Sequence, residues 1–382
     1  MSSLPIKLAV LDDYHNIAAK HFTHIDSSKV DITVFNDTLP SYSHPRTSDA
    51  DRKALVDRLK PFAALSTMRE RTPFPGELLR QLPNLNIVFA TGGKFESWDL
   101  DTMKDIGITV CAAPGKGRTD GKGSGASPRS LPMKQGGGHP TTQHVWALIL
   151  GLARNIAADD AVVKGKGVPA GWQTELAMGL QGKTLGLVGL GRIGAHVARV
   201  GVLAFGMKIV CWSANLTQEK ADKLAEECGL PVTGGGMTGK NDKTFKVVAK
   251  EQLFTSSDVV SVHYVLSERS KGVVGTQELQ WMKPTGLLIN TSRGPLVDES
   301  ALLDTLRHGR IRGAALDVFD IEPLPADSPW RNEDWNVKGK SRVLLTPHMG
   351  YVEEGTLMTW YEETAENLER LVAGKELLHR VI

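Results

Sequence analysis

"TLGLVGLGRIGAHVARV", residues 184–200, decides how this chain is read. Its first residues set glycine among aliphatic side chains, as a buried strand does, and from Gly194 onward the run suits a helix. Between the two lie Gly189, Gly191 and Gly194 in the spacing G-x-G-x-x-G. The glycine pattern alone is weak; a strand before it and a helix after it supply the context that counts. Gly189 permits a tight turn, Gly191 lets backbone come close to a pyrophosphate, and Gly194 lets helix and strand pack closely. The helix N-terminus then faces negative charge, with Arg192 and Ile193 in its first turn. A glycine-rich turn without a ligand is the plainer alternative, and the flanking elements argue against it.

The next strand, "KIVCW" at 208–212, runs into "SANLT". Ser213 stands 19 residues after Gly194, where an acid usually binds the adenosine ribose. An Asp there would repel a 2′ phosphate, whereas Ser213 offers a donor, with Asn215, Thr217 and Lys220 close behind. The cofactor read from this is NADP or NAD, and Ser213 favours NADP. No Arg follows Ser213 directly, which keeps NAD open.

Working outward, strand-like runs alternate with helical ones on both sides. "IKLAVL" (6–11), "VDITVF" (30–35), "AALSTM" (63–68), "LNIVFAT" (85–91) and "ITVCAA" (108–113) precede the glycine motif. "DVVSVHYV", "GLLINTS", "GAALDVF" and "SRVLLTP" follow it. Between them lie helical stretches such as "DRKALVDRLK" (51–60), a long apolar one from about 141, and "TQEKADKLAEECG" with Gly229 as its cap. This is the pattern of an α/β protein with doubly wound parallel sheets covered on both faces. The 382 residues exceed what one core organises, so two domains are expected. Two stretches break the texture. Residues 115–140 carry five basic residues against one acidic, a net of +4, among Gly and Ser; residues 232–246 are rich in Gly and polar residues. Both read as flexible insertions. A basic flap over an anionic ligand is the sharper alternative for 115–140.

Bulk composition narrows the classes. A net charge of +2 gives no argument for nucleic acid or an anionic membrane, and no apolar run is long enough to span a bilayer. Cys111, Cys211 and Cys228 share no metal-ligand spacing and read as reduced thiols, so no metal is expected. The first residues enter a strand without a signal-like segment. Together these point to a soluble cytoplasmic protein.

Three later strands end in chemically suggestive groups: Arg293 after "LLINTS", Glu322 in "ALDVFDIEPLP", and His348 in "LLTPHMG". In an open α/β sheet, ligands bind at the carboxyl ends of strands. Reduction of a 2-oxo acid needs a hydride at C2 and a proton on its oxygen. His348 can give the proton, Glu322 can favour the imidazolium, and Arg293 can bind the carboxylate through its planar fork. Each has an ordinary reading as a loop residue, but their order and placement favour the catalytic one.

On "GLVGLGRIG", "LLINTSRGPLVDESALLDTL", "GAALDVFDIEPLP" and "LLTPHMG", the chain resembles the D-isomer-specific 2-hydroxyacid dehydrogenase family over nearly its whole length. The resemblance implies Arg293, Glu322 and His348 as the catalytic set, and Asp317 near a nicotinamide ring. It also implies Thr291 and the 263–265 turn, including Val265, along the cofactor. It further implies a substrate domain built from both chain ends, 1–144 and 347–382, around a dinucleotide-binding domain at 145–346, and a homodimer. Substrate contacts would come from Gly93, Lys94 and Phe95 together with Arg293. Lys94 stands where a second glycine is common, Gln143 where an acid is common, and Val265 where Pro is common. These departures bear on the substrate and leave the reaction intact. The chain runs 34 residues past His348, from which no C-terminal regulatory domain is expected. The implied partner is a small 2-oxo or 2-hydroxy acid, not nucleic acid or membrane. The alternative is a dinucleotide-sensing, corepressor-like interaction protein on the same fold.

Overall fold

The computed structural model describes residues 5–93, 95–124, 139–165, 172–173, 175–335 and 337–382. By contacts the chain divides into two compact units: Met1–Arg129 with Ile321–Pro323 and Glu353–Ile382, and Ser130–Asp320 with Leu324–Val352. The division falls at 129/130 and 352/353, where the sequence reading set 144/145 and 346/347, and it places Ile321–Pro323 with the first unit. The helix Pro140–Ala153 explains part of this, because it packs on strands of the second unit.

The first unit carries β1 (Ile6–Val10), β2 (Val30–Val34), β3 (Ala64–Thr67), β4 (Ile87–Thr91) and β5 (Thr109–Ala113), in the order β2-β1-β3-β4-β5. The second carries β6 (Thr184–Val188), β7 (Lys208–Trp212), β8 (Phe245–Val247), β9 (Val259–Val262), β10 (Leu287–Asn290), β11 (Gly313–Leu316) and β12 (Arg342–Leu345). Their order is β12-β11-β10-β9-β6-β7-β8. Every pairing in both sheets is parallel. Central strands such as β4, β9, β10 and β11 are buried at every position, so they read as unbroken apolar runs. The edge strand β2 instead alternates, with Asp31 and Thr33 exposed.

Local signals set several helix ends. Ser48 caps Asp49–Leu59 by accepting from the Asp51 amide, and Thr217 caps Gln218–Glu227 in the same way through Lys220. Gly229, at φ 71°, closes the latter, as its sequence position suggests. The long apolar helix is interrupted: it ends at Ala153, and Asn155 at φ 57° begins a second one, Ile156–Val163. Asn tolerates this left-handed conformation better than most residues.

The two stretches read as insertions meet the fold through backbone. In 232–246, Thr233 bridges Lys243 and the Gly235 amide donates to Thr244 Oγ1 at 3.0 Å, leading into buried Phe245. In the described part of 115–140, residues 115–124 lie along the helix Glu354–Val372. Glu363 accepts from the amides of Gly115 (2.8 Å), Lys116 and Gly117 (2.7 Å), and Glu366 from the Thr119 amide (2.7 Å). Glu369 pairs with Arg118 at 2.9 Å, and Glu362 accepts from the Ser124 amide at 3.1 Å. Residues 125–138 lie outside the described residues, so the flap reading of that part has no structural account. Among the described residues, no helix is long and apolar enough to cross a membrane.

Candidate active site

Six neighbouring strands of the second unit end in the residues singled out from the sequence. Across the sheet from β12 to β7 come His348, Asp317, Thr291 with Arg293, Val265, the Gly189–Gly194 turn, and Ser213. The parallel pairing puts all of these loops at the same edge. The connections that leave β6 and β9 run in opposite directions, to β7 and to β10, and the glycine turn sits at that boundary.

The fold itself requires two of the three glycines, and the third leaves space open. Gly189 has φ 98°, and a Cβ on it would lie 2.5 Å from the His263 carbonyl oxygen. A Cβ on Gly194 would lie 2.6 Å from the Gly189 oxygen, so helix and turn touch there. A Cβ on Gly191 would meet nothing within 4 Å; the space above it is open. The helix Arg192–Phe205 starts at Gly191 without a side-chain cap and without an acid in its first turn. Its first amides are therefore left to an external acceptor. Arg192 is exposed and Ile193 half-buried against the core. Further along, Thr291 is 8% exposed and its Oγ1 is buried with no partner among the described residues. An open cradle, an uncapped helix start and an orphaned hydroxyl on one sheet edge fit a dinucleotide. Ser213 is half-buried at the end of β7, and Val265 is exposed, its carbonyl accepting from Ser270 Oγ at 2.8 Å.

The Arg293 loop is held from behind. Asn290, the last residue of β10, donates through Nδ2 to the Arg293 carbonyl at 2.9 Å and accepts from the Ser292 amide at 3.1 Å. Ser292 Oγ donates to the Tyr264 carbonyl at 2.7 Å, and Arg293 Nη1 to the Ser292 carbonyl at 2.8 Å. Gly294 follows at a point where a Cβ would lie 2.0 Å from the Phe319 backbone, so the loop presses directly on its neighbour.

His348 adopts φ 55°, the left-handed region that non-glycine residues avoid. Such a residue persists only where its surroundings over-determine it, at about 1–3 kcal/mol of strain. Asp317 supplies that constraint. Its carbonyl accepts from the His348 amide at 2.8 Å. Its Oδ1 accepts from Thr346 Oγ1 (2.6 Å) and the Met349 amide (2.7 Å), and its Oδ2 from the Gly350 amide (2.9 Å). His144 Nε2, from the helix Pro140–Ala153, lies 3.1 Å from Oδ1 and 3.0 Å from Thr346 Oγ1. Burial alone would raise the Asp317 carboxyl, but the bonds from His144, Thr346 and the Met349 amide hold it below the ordinary Asp range. Its oxygens thus hold the His348 loop, a role that the sequence reading, which set it beside a nicotinamide ring, did not contain. The His348 ring meets Tyr351 edge-on, centroids 5.5 Å apart.

Glu322 stands in Ile321–Pro323, which groups with the first unit. Its pairing with His348 is carried by the sequence pattern and belongs to the functional reading. In that unit the 91–95 loop follows β4. A Cβ on Gly93 would meet nothing within 4 Å, Lys94 lies outside the described residues, and the Phe95 ring packs on Trp98 at 5.3 Å, facing the core. Sequence reasoning passed over Arg69. It follows β3, donates its amide to Thr91 Oγ1 at 2.7 Å, and sets its guanidinium 5.6 Å from the Trp360 ring centre, against Gly92. The available signal was "MRERT", two arginines at a strand end.

Residues 146–350 match the family model of the D-isomer specific 2-hydroxyacid dehydrogenase NAD binding domain. A glyoxylate reductase of Aeropyrum pernix is 33% identical over 304 residues, covering 78% of this chain and 77% of that one. A D-3-phosphoglycerate dehydrogenase of Bacillus subtilis is 29% identical over 327 residues; these are 85% of this chain and only 52% of that protein. Among solved structures, a phosphoglycerate oxidoreductase from Vibrio cholerae superposes with a TM-score of 0.72 at 31% identity, covering 97% of this chain and 99% of that one.

Proposed function

The chain belongs to the D-isomer specific 2-hydroxyacid dehydrogenases, a family of NAD-dependent oxidoreductases, and on that premise we propose that it interconverts a small 2-oxo acid and its D-2-hydroxy acid. The observation that carries this is the row of loops from His348 to Ser213 along one edge of one parallel sheet. A dinucleotide bound there supplies the hydride for C2. Gly189, Gly191, Gly194 and the first turn with Arg192 and Ile193 would hold its pyrophosphate. Thr291, Val265 and Ser213 would line its length. Arg293 would bind the substrate carboxylate through its fork and polarise the 2-oxo oxygen. His348 would deliver the proton to that oxygen, with Glu322 favouring its imidazolium form. Gly93, in the loop after β4 of the first unit, keeps the substrate-contact role that the family resemblance implies. Glyoxylate is the first substrate to test, since relatives named as its reductases are 33% identical over 304 residues and 30% identical over 326 residues. The matched relatives are reductases and dehydrogenases, which leaves the corepressor-like reading without support.

Ser213 in place of an acid points to NADPH being preferred or both dinucleotides being accepted. The test is the loss of reduced-dinucleotide absorbance with glyoxylate, hydroxypyruvate, pyruvate and bulkier 2-oxo acids, each with NADPH and NADH. Turnover with at least one small 2-oxo acid supports the reading; none across the panel overturns it. Ser213→Asp should shift kcat/KM towards NADH, and a strong wild-type preference for NADH would refute the role given to Ser213. The same reading has the protein act as a cytosolic homodimer, which light scattering checks as twice the chain mass.

A further inference from the structure

Tyr264 stands where the parts of the second unit's strand-end row meet. It follows β9, and its backbone nitrogen lies 3.1 Å from the position a Cβ on Gly189 would take. Its carbonyl accepts from Ser292 Oγ beside Arg293 at 2.7 Å. Its ring stacks on Trp212, centroids 6.0 Å apart and planes at 17°, and Lys250 Nζ lies 5.2 Å from the Trp212 ring centre. Its hydroxyl accepts from the Ala214 amide at 3.2 Å. Ala214 directly follows Ser213 and is exposed. The turn is closed by Leu216 N donating to the Ser213 carbonyl at 3.2 Å, and Lys220 Nζ donates to the Asn215 carbonyl at 3.2 Å.

We propose that Tyr264 is a specificity-determining residue: its hydroxyl takes up the Ala214 amide and so withholds a backbone donor from a ribose 2′ phosphate. The proposal rests on the reading of this sheet edge as a dinucleotide site. Backbone amides in turns are good anion donors, and a hydrogen bond to a phosphate oxygen is stronger than one to a phenol. The ribose 2′ hydroxyl of NADH gains little from a freed amide, because Ser213 Oγ serves it either way. The hydroxyl of Tyr264 therefore moderates the preference for NADPH without touching the reacting atoms.

Tyr264→Phe keeps the ring stacked on Trp212 and frees the amide. It should raise the NADPH-to-NADH ratio of kcat/KM by roughly three- to thirtyfold, through KM for NADPH, with kcat unchanged. Calorimetry with 2′,5′-ADP and 5′-ADP should show the same split in binding. Ala214→Pro removes the amide itself; position 214 is the second residue of the turn, which suits Pro. In that background Tyr264→Phe should have no effect on the ratio. An unchanged or reduced ratio in folded Tyr264→Phe overturns the proposal, as does a rise that persists alongside Ala214→Pro. A merely structural tyrosine would weaken both dinucleotides equally. A wild type that binds neither dinucleotide overturns the site reading itself, and this inference with it.

Discussion

Replacing Asp317 by asparagine turns one carboxylate oxygen into an amino group and leaves the volume unchanged. Four donors converge on that carboxylate: Thr346 Oγ1, the Met349 amide and His144 Nε2 on Oδ1, and the Gly350 amide on Oδ2. The least harmful rotamer puts the new amino group at Oδ2, where it faces the Gly350 amide donor to donor. At 1% exposure no water replaces the lost acceptor. One buried unsatisfied donor costs about 1–3 kcal/mol, which at about 1.4 kcal/mol per decade is roughly five- to a hundredfold in local opening. The three remaining bonds also lose their charge assistance, so the upper part of that range is expected. Hydrogen exchange of the Met349 and Gly350 amides reads this directly, with the β7 amides as the unaffected reference. The left-handed His348 backbone should relax at the same time, lowering turnover. The pH sign follows from the depressed Asp317 carboxyl. Its stabilisation is complete above the unfolded titration near about pH 3.9 and is lost as pH falls through the lower folded value. The difference between wild type and variant should thus be full at neutral pH and shrink in strong acid. Equal exchange at Gly350 in both proteins at pH 7 would refute the anchoring role.

Three shorter predictions follow from the same loops and from the stretch along the last helix. His348→Asn should lower kcat by about two to four orders of magnitude with dinucleotide binding kept, and Glu322→Gln should move the alkaline limb of reduction to lower pH; an unshifted limb, with chemistry rate-limiting, sinks the pairing of the two. Arg293→Lys keeps the charge but loses the fork, so both KM and kcat should worsen, and wild-type kinetics in that variant would reduce Arg293 to a general positive charge. Glu363→Ala leaves the three amides of Gly115, Lys116 and Gly117 without their acceptor, so trypsin should cut after Lys116 and Arg118 at least tenfold faster by mass spectrometry; equal cleavage rates would show that Glu363 does not hold this stretch.

The sheets were legible because of how they are buried. Strands covered on both faces, such as "VVSV", "LLIN" and "GAAL", must be apolar throughout, and glycine or polar punctuation marks their ends. What was not legible is held by backbone groups, which have no sequence identity. Glu362, Glu363, Glu366 and Glu369 recur at helical spacing, a pattern that ordinarily marks a solvated face. Yet Glu363 and Glu366 are 4% and 3% exposed, because their partners are mainly the amides of a Gly-rich stretch. The turn within 232–246 hid its packing for the same reason. The break at Asn155 was invisible because Arg-Asn-Ile is as compatible with a continuing helix as with a left-handed residue.

The site shows the same limit more sharply. A polar side chain at the carboxyl end of a strand reads alike in sequence whether it faces a ligand or holds a loop. Asn290 and Asp317 hold: each is 1% exposed, and each is bonded to the loop that carries Arg293 or His348. Thr291 sits one residue beyond Asn290 and is almost as buried, yet its hydroxyl has no partner among the described residues. Only the tally of partners in the folded chain separates the two roles. A buried hydroxyl without an acceptor or donor is costly unless something completes it, whereas a carboxylate with four donors is already satisfied. By that criterion Thr291 keeps a hydrogen-bonding position open at the strand ends, while Asp317 commits its oxygens to the loop that carries His348.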